Sequence, residues 1–126
     1  MSDLHVFVVE DNPLIRANLM SALKDLVDAR ILAFAESEPQ AIDWLSQHKG
    51  GWDLAIVDLF LKKGNGVGIV RWTCGRLKHQ KVAVLTNYAT PAVREECLRE
   101  GADAVFDKST ELDQFFDFCR RLDSTG

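Results

Sequence analysis

Short apolar runs alternate along the chain with segments whose apolar residues recur at three-and-four spacing. The runs are His5–Val9, Ile31–Ala35, Leu54–Val57, Val82–Leu85 and Ala104–Phe106. They are short and mostly β-prone, which predicts strands buried on both faces. The intervening segments predict helices. Asn12 reads as an N-cap with Pro13 at the first helical position, and Ile15, Leu19, Ala22, Leu23 and Leu26 share the inward face. Ser37 opens the second helix with the Ser37-x-x-Gln40 spacing of a capping box, Ile42 and Leu45 pointing inward and Gly50-Gly51 ending the unit. A third helix over about Val67 to Leu77, weakened at its start by Gly66 and Gly68, aligns Val70, Cys74 and Leu77. Thr90-Pro91 opens the fourth, with Val93, Cys97 and Leu98 inward and Gly101 as the C-cap glycine. Behind Ser109 or Thr110 as cap, Leu112, Phe115, Phe116, Cys119 and Leu122 form the clearest stripe, leaving Asp123–Gly126 as a tail.

Five strand–helix units in 126 residues average about 25 residues each, close to the ~30 of a βαβ element. The expected architecture is α/β: a doubly wound parallel sheet of five strands with helices on both faces. No repeat or linker interrupts residues 1–126, so a single domain with no output domain is expected.

Composition narrows the function. With 47% hydrophobic and 27% charged residues, a disordered chain, a collagen-like repeat and a membrane protein are excluded. Fifteen Lys and Arg against nineteen Asp and Glu, a net charge of −4, disfavour nucleic acid or an anionic membrane as partner. No apolar run approaches the ~18 residues of a transmembrane helix. The start, Met1–His5, lacks the basic and apolar regions of a secretory leader. Cys74, Cys97 and Cys119 form no CxxC and lie beside no His at metal-ligand spacing. All three fall on helical faces expected to be buried, and the protein is expected in a reducing cytoplasm.

Ligands of open parallel sheets bind beyond the carboxyl ends of the strands. There the first strand delivers Glu10-Asp11, the third Asp58, the fourth Thr86-Asn87 and the fifth Asp107-Lys108. Taken singly, each has a plain structural role open to it: a cap, a turn residue, a strand-end hydroxyl or a solvated lysine. Together they point to one site. Crowded carboxylates repel, and a hard divalent cation relieves them, with oxygen ligands suiting Mg²⁺. A carboxylate beside such a cation, with a hydroxyl and a lysine nearby, is placed to accept a phosphoryl group. Asp58 is the expected acceptor, followed by a loop, Lys62–Gly66, expected to be flexible and to leave the carboxylate open.

Glu10-Asp11 followed by Asn12-Pro13, Asp58 within Ile56–Leu59, Leu85-Thr86, and Gly101–Asp103 leading to Asp107-Lys108 resemble, in order and spacing over the whole chain, the receiver domain of two-component response regulators. The resemblance implies a flavodoxin-like sheet of order 2-1-3-4-5, with Asp11 and Asp58 side by side at its switch point. It implies that Asp58 takes a phosphoryl group from a phosphohistidine on a histidine kinase or phosphotransfer protein. Asp11 and Asp58 would ligate magnesium directly, Glu10 through a water, and the Phe60 carbonyl would complete the protein ligands. Lys108 would pair with one phosphoryl oxygen and Thr86 with another, pulling its loop inward. Signalling would then pass to a downstream protein target at the fourth helix, fifth strand and fifth helix.

Three positions depart from the family pattern. Val105 stands where a Phe or Tyr commonly rotates to report phosphorylation, Ser109 where a proline usually follows the lysine, and Asn87 where a small residue is frequent. Phe106 is expected in the core, and Tyr88 could contribute to the output surface. The competing readings are a phosphorylation-independent interaction module of the same fold, which Val105 favours, and a phosphatase of the haloacid dehalogenase type. The latter needs a second acid two residues past the nucleophile, where this chain has Phe60. A flavodoxin is disfavoured because Glu10-Asp11 would repel a flavin phosphate.

Overall fold

The structure, a computed structural model, describes residues 4–125. The expectation of no leader rests partly on Met1–Asp3, which lie outside the described residues, as does Gly126 of the expected tail. In chain order the elements are β1 (His5–Val9), α1 (Pro13–Val27), β2 (Arg30–Ala35), α2 (Glu38–Gln47), β3 (Leu54–Asp58), α3 (Gly66–Trp72), β4 (Lys81–Thr86), α4 (Pro91–Arg99), β5 (Ala104–Asp107) and α5 (Leu112–Thr125). Every strand pairing is parallel, and the order is β2-β1-β3-β4-β5. This is the doubly wound, flavodoxin-like α/β sheet.

Alternation along the strands splits the core into two layers. Phe7, Val9, Ala55, Val57, Val82 and Val84 face Ala41, Leu45, Ile69, Val70 and Cys97, so α2, α3 and α4 cover one side. Val6, Val8, Leu54, Ile56, Ala83 and Leu85 face Leu23, Val27, Phe115, Phe116 and Cys119, so α1 and α5 cover the other. Phe115 is fully buried and meets Phe106 edge-on at 5.6 Å between ring centroids. Truncating Phe115 to Ala should cost about 3–5 kcal/mol in urea unfolding, since the layer between sheet and helix cannot collapse into the gap.

The caps form largely as expected. Asn12 Oδ1 accepts from Leu14 N and Ile15 N, Thr90 Oγ1 from Val93 N, and Ser37 Oγ from Gln40 N. Gln40 Oε1 reaches back to Glu36 N, one residue before the cap, so the reciprocal half of the box is shifted. Gly101, at φ +119°, follows the end of α4 in a conformation that suits glycine.

Other expectations need correction. β2 is an edge strand with a single strand neighbour, and Leu32 and Phe34 are exposed, so it is not buried on both faces. Ile15 and Leu26 in α1 and Leu98 in α4 are also exposed, because each helix buries a narrower stripe than its apolar residues define. α3 stops at Trp72 and passes into a 3₁₀ turn, Thr73–Gly75, which turns Cys74 and Leu77 out to solvent. Ser109 and Thr110 do not cap α5: they lie in a turn closed by Asp107 Oδ1, and the helix begins at Leu112 and runs through Thr125.

Candidate functional site

Because the sheet is parallel throughout, the carboxyl ends of β1, β3, β4 and β5 open on one edge. β1 and β3 are neighbours, and the connection after β1 runs outward to β2 while that after β3 runs the other way to β4, so a cleft opens at their carboxyl ends. Glu10 and Asp11 stand at this point. Asn12 N donates to Glu10 Oε2 at 3.1 Å, and Arg16 Nη1, one turn into α1, donates to the Glu10 carbonyl at 2.9 Å. The residue that caps α1 therefore also orients Glu10.

Asp58 ends β3 and is buried. Candidate ligand oxygens of Glu10, Asp11 and Asp58 all lie within 4.8 Å of one another. Lys108 reaches in from beyond β5, its Nζ 2.5 Å from Glu10 Oε1 and 3.4 Å from Asp58 Oδ2. Thr86 is fully buried at the end of β4. Its Oγ1 accepts from Tyr88 N at 3.1 Å, and its carbonyl accepts from Lys108 N at 2.9 Å. The five side chains read from the sequence thus meet at one edge of the sheet.

Three carboxylates against one ammonium leave two formal negative charges in a mostly buried cluster. Burial pushes the Asp58 carboxyl up from 3.8 to about 6, with Lys108 opposing and the Glu10 charge adding to the rise. The Phe60 backbone N–H opposes it further. An all-oxygen donor set with excess negative charge fits a hard divalent cation. Asp11, half-buried, spends Oδ2 on Lys62 N at 2.7 Å and keeps its other oxygen.

The turn after Asp58 is not the flexible loop expected. Phe60 bridges Asn65, Gly66 N donates to the Leu59 carbonyl at 2.9 Å, and Asn65 N donates to Glu38 Oε1 at 2.7 Å. Sequence reasoning missed Glu38 and Arg16. The available signal was Glu36 and Glu38 just past the second strand, together with the alternating glycines Gly64, Gly66 and Gly68, whose spacing reads equally well as close approach of backbone.

A family model described as the response regulator receiver domain matches residues 6–120. The chain belongs to that family. Solved receiver domains share its fold. The signal receiver domain of a DNA-binding response regulator from Colwellia psychrerythraea 34H is 21% identical with a TM-score of 0.82, over 95% of this chain and 98% of that one. The receiver domain of a sensor histidine kinase from Pseudomonas aeruginosa PAO1, with a magnesium ion coordinated in its active-site cleft, is 20% identical with a TM-score of 0.79, over 98% and 99%. A response regulator from Burkholderia pseudomallei, with a phosphorylated aspartic acid, calcium ion and citrate, is 21% identical with a TM-score of 0.78, over 98% and 70%. No significant match was found among curated proteins.

The departures of this receiver domain can now be placed. Val105 is buried under α4, where Arg94 donates to the Val105 carbonyl at 3.3 Å, the Ala89 carbonyl at 2.8 Å and Glu111 Oε1 at 2.7 Å. Hydrogen bonds from the Asp107 amide and then from Arg94 hold the Glu111 carboxyl below its ordinary range. A guanidinium therefore ties together the three segments that flank Val105. Ser109 follows Lys108 through a trans peptide, and its hydroxyl faces Asn87 Oδ1 at 3.4 Å. Tyr88, exposed, meets Phe60 edge-on at 5.1 Å beside the site.

Proposed function

We propose that this receiver domain is a magnesium-dependent phosphoacceptor, taking a phosphoryl group from phosphohistidine on a histidine kinase or phosphotransfer protein onto Asp58. The observation that carries the reading is the buried Asp58 carboxylate gathered with Glu10, Asp11 and Lys108. Asp11, Asp58 and the Phe60 carbonyl would hold the Mg²⁺, with Glu10 behind them. When bound, the ion supplies positive charge against the oxygens of the transferring group.

The remaining work falls to the chain. An Asp58 oxygen attacks phosphorus, forming the O–P bond as the N–P bond breaks, and the donor imidazole keeps that electron pair and its ring proton. Lys108, already within reach of both carboxylates, pairs with one phosphoryl oxygen. The Thr86 hydroxyl donates to another, and because its Oγ1 also accepts from Tyr88 N, the segment from Asn87 to Thr90 is drawn with it. That segment leads into α4, whose Arg94 reaches the carbonyls of Ala89 and of Val105 in β5, and the face of α4, β5 and α5 is the surface offered to a downstream protein target. The three free thiols suit a reducing cytoplasm, and among the described residues no helix is long and apolar enough to cross a membrane.

Intact mass after incubation with Mg²⁺ and either a small acyl phosphate or a phosphohistidine donor tests this. A single phosphoryl adduct that needs both Mg²⁺ and Asp58 is expected. No adduct from either donor, with no Mg²⁺ binding, would overturn it in favour of a phosphorylation-independent interaction module.

A further inference from the structure

The turn that follows Asp58 is built around a carboxylate from a different helix. Glu38 is the first residue of α2. Its backbone N–H donates to the Lys63 carbonyl at 3.0 Å, and its Oε1 accepts from Asn65 N at 2.7 Å, so one residue clasps the turn on both sides of Gly64. Gly64 sits at φ +90°, and a Cβ there would lie 2.8 Å from Glu38 Oε1. A Cβ on Gly68 would lie 2.8 Å from Glu38 Cδ, and one on Gly66 2.7 Å from Leu59 Cα, also running into the Asp58 carbonyl. The alternating glycines let the chain close around Glu38 on one side and against the end of β3 on the other.

The opposite side of this turn faces the acid cluster. Lys62 N donates to Asp11 Oδ2 at 2.7 Å. Phe60, two residues past Asp58, bridges Asn65, the residue that Glu38 holds. An amide on one oxygen of a carboxylate fixes the direction in which its other oxygen presents itself to a ligand.

We propose that Glu38 is a positioning residue for the divalent-cation site, acting through the β3–α3 turn to hold the Lys62 amide against Asp11. It rests on the reading of the acid cluster as a metal site. Glu38 is not a member of that cluster, and it acts as a hydrogen-bond acceptor. Without it the turn must be ordered when the ion binds, and the cost of ordering appears as lost affinity.

Calorimetric Mg²⁺ titration of the wild type, Glu38→Ala and Glu38→Gln tests this, paired with amide exchange over residues 59–66 in the metal-free proteins. Glu38→Ala should weaken Mg²⁺ binding by about tenfold, the range found when groups supporting metal ligands are removed, and should speed exchange at Lys62 and Asn65. Glu38→Gln keeps an acceptor oxygen and should restore most of both. Glu38→Asp, one methylene short of Asn65, should weaken binding like Glu38→Ala and serves if that variant does not fold. Wild-type Mg²⁺ affinity in Glu38→Ala, even with lowered thermal stability, would overturn the inference, as would Glu38→Gln binding as weakly as Glu38→Ala. A wild type that binds no Mg²⁺ would overturn the metal-site reading itself, and this inference with it.

Discussion

Asp58→Asn is expected to abolish the phosphoryl adduct and, at the same time, to stabilise the metal-free protein at neutral pH. The first effect follows because an amide offers no anionic oxygen to form the O–P bond. The second follows from the burial that lifts the Asp58 carboxyl from 3.8 to about 6. Between those values the folded protein holds a proton that the unfolded chain has released, so wild-type stability falls as pH rises through the window and the full cost is carried above about pH 6. An upward shift of this size corresponds to about 1–3 kcal/mol, which Asn removes. Urea unfolding across pH should show the variant and wild type converging below about pH 4 and separating above it. Added Mg²⁺ should narrow the gap by favouring the charged carboxylate of the wild type. A variant less stable than wild type at neutral pH without metal would contradict the electrostatic account.

Lys108→Ala should have the opposite sign. Lys108 places its ammonium between Glu10 and Asp58, with all three side chains largely buried. Removing one member of a buried charged group leaves the others uncompensated, at a cost of about 3 kcal/mol in unfolding free energy at neutral pH. The loss should shrink as pH falls toward about 6 and level off below it, because without Lys108 the Asp58 carboxyl takes up its proton at a higher pH than in wild type and one uncompensated charge disappears. Mg²⁺ should recover more stability in this variant than in wild type, and should bind it more tightly, because the ammonium no longer repels the ion. An equal loss at acid and neutral pH, with no extra response to Mg²⁺, would mean that Lys108 acts through packing of its stem. The two variants thus read the same cluster from its two charges.

Some of this was legible along the chain because its cause is local. A β-branched run such as Val82–Leu85 prefers extended backbone, and Asn12-Pro13 and Thr90-Pro91 satisfy the first amides of a helix within three residues. The site residues were legible for a related reason. In a parallel sheet all strands end at one edge, so Glu10, Asp11, Asp58, Thr86 and Lys108, each just past an apolar run or one residue beyond its end, had to gather there once the strands were recognised. The strand order itself followed from family resemblance, since no run states which neighbour it pairs with.

What the chain could not state depends on neighbours distant in sequence. Cys74 shares a helical stripe with Val70, yet α3 unwinds at Trp72 and leaves the thiol exposed, because how far a stripe is used depends on what covers it. Gly64 and Gly66 read as loop flexibility, and Gly66 and Gly68 as a weak helix start. Glu38, from another unit of the fold, turned them into a close fit, because a glycine's freedom is spent only when something approaches it. The raised Asp58 carboxyl likewise required burial and the Glu10 charge from another strand. Residue types and local spacing determined the elements and the chemistry available at the sheet edge. Tertiary structure decided which groups lie within a few ångströms of each other, and desolvation, charge coupling and turn rigidity all depend on that separation.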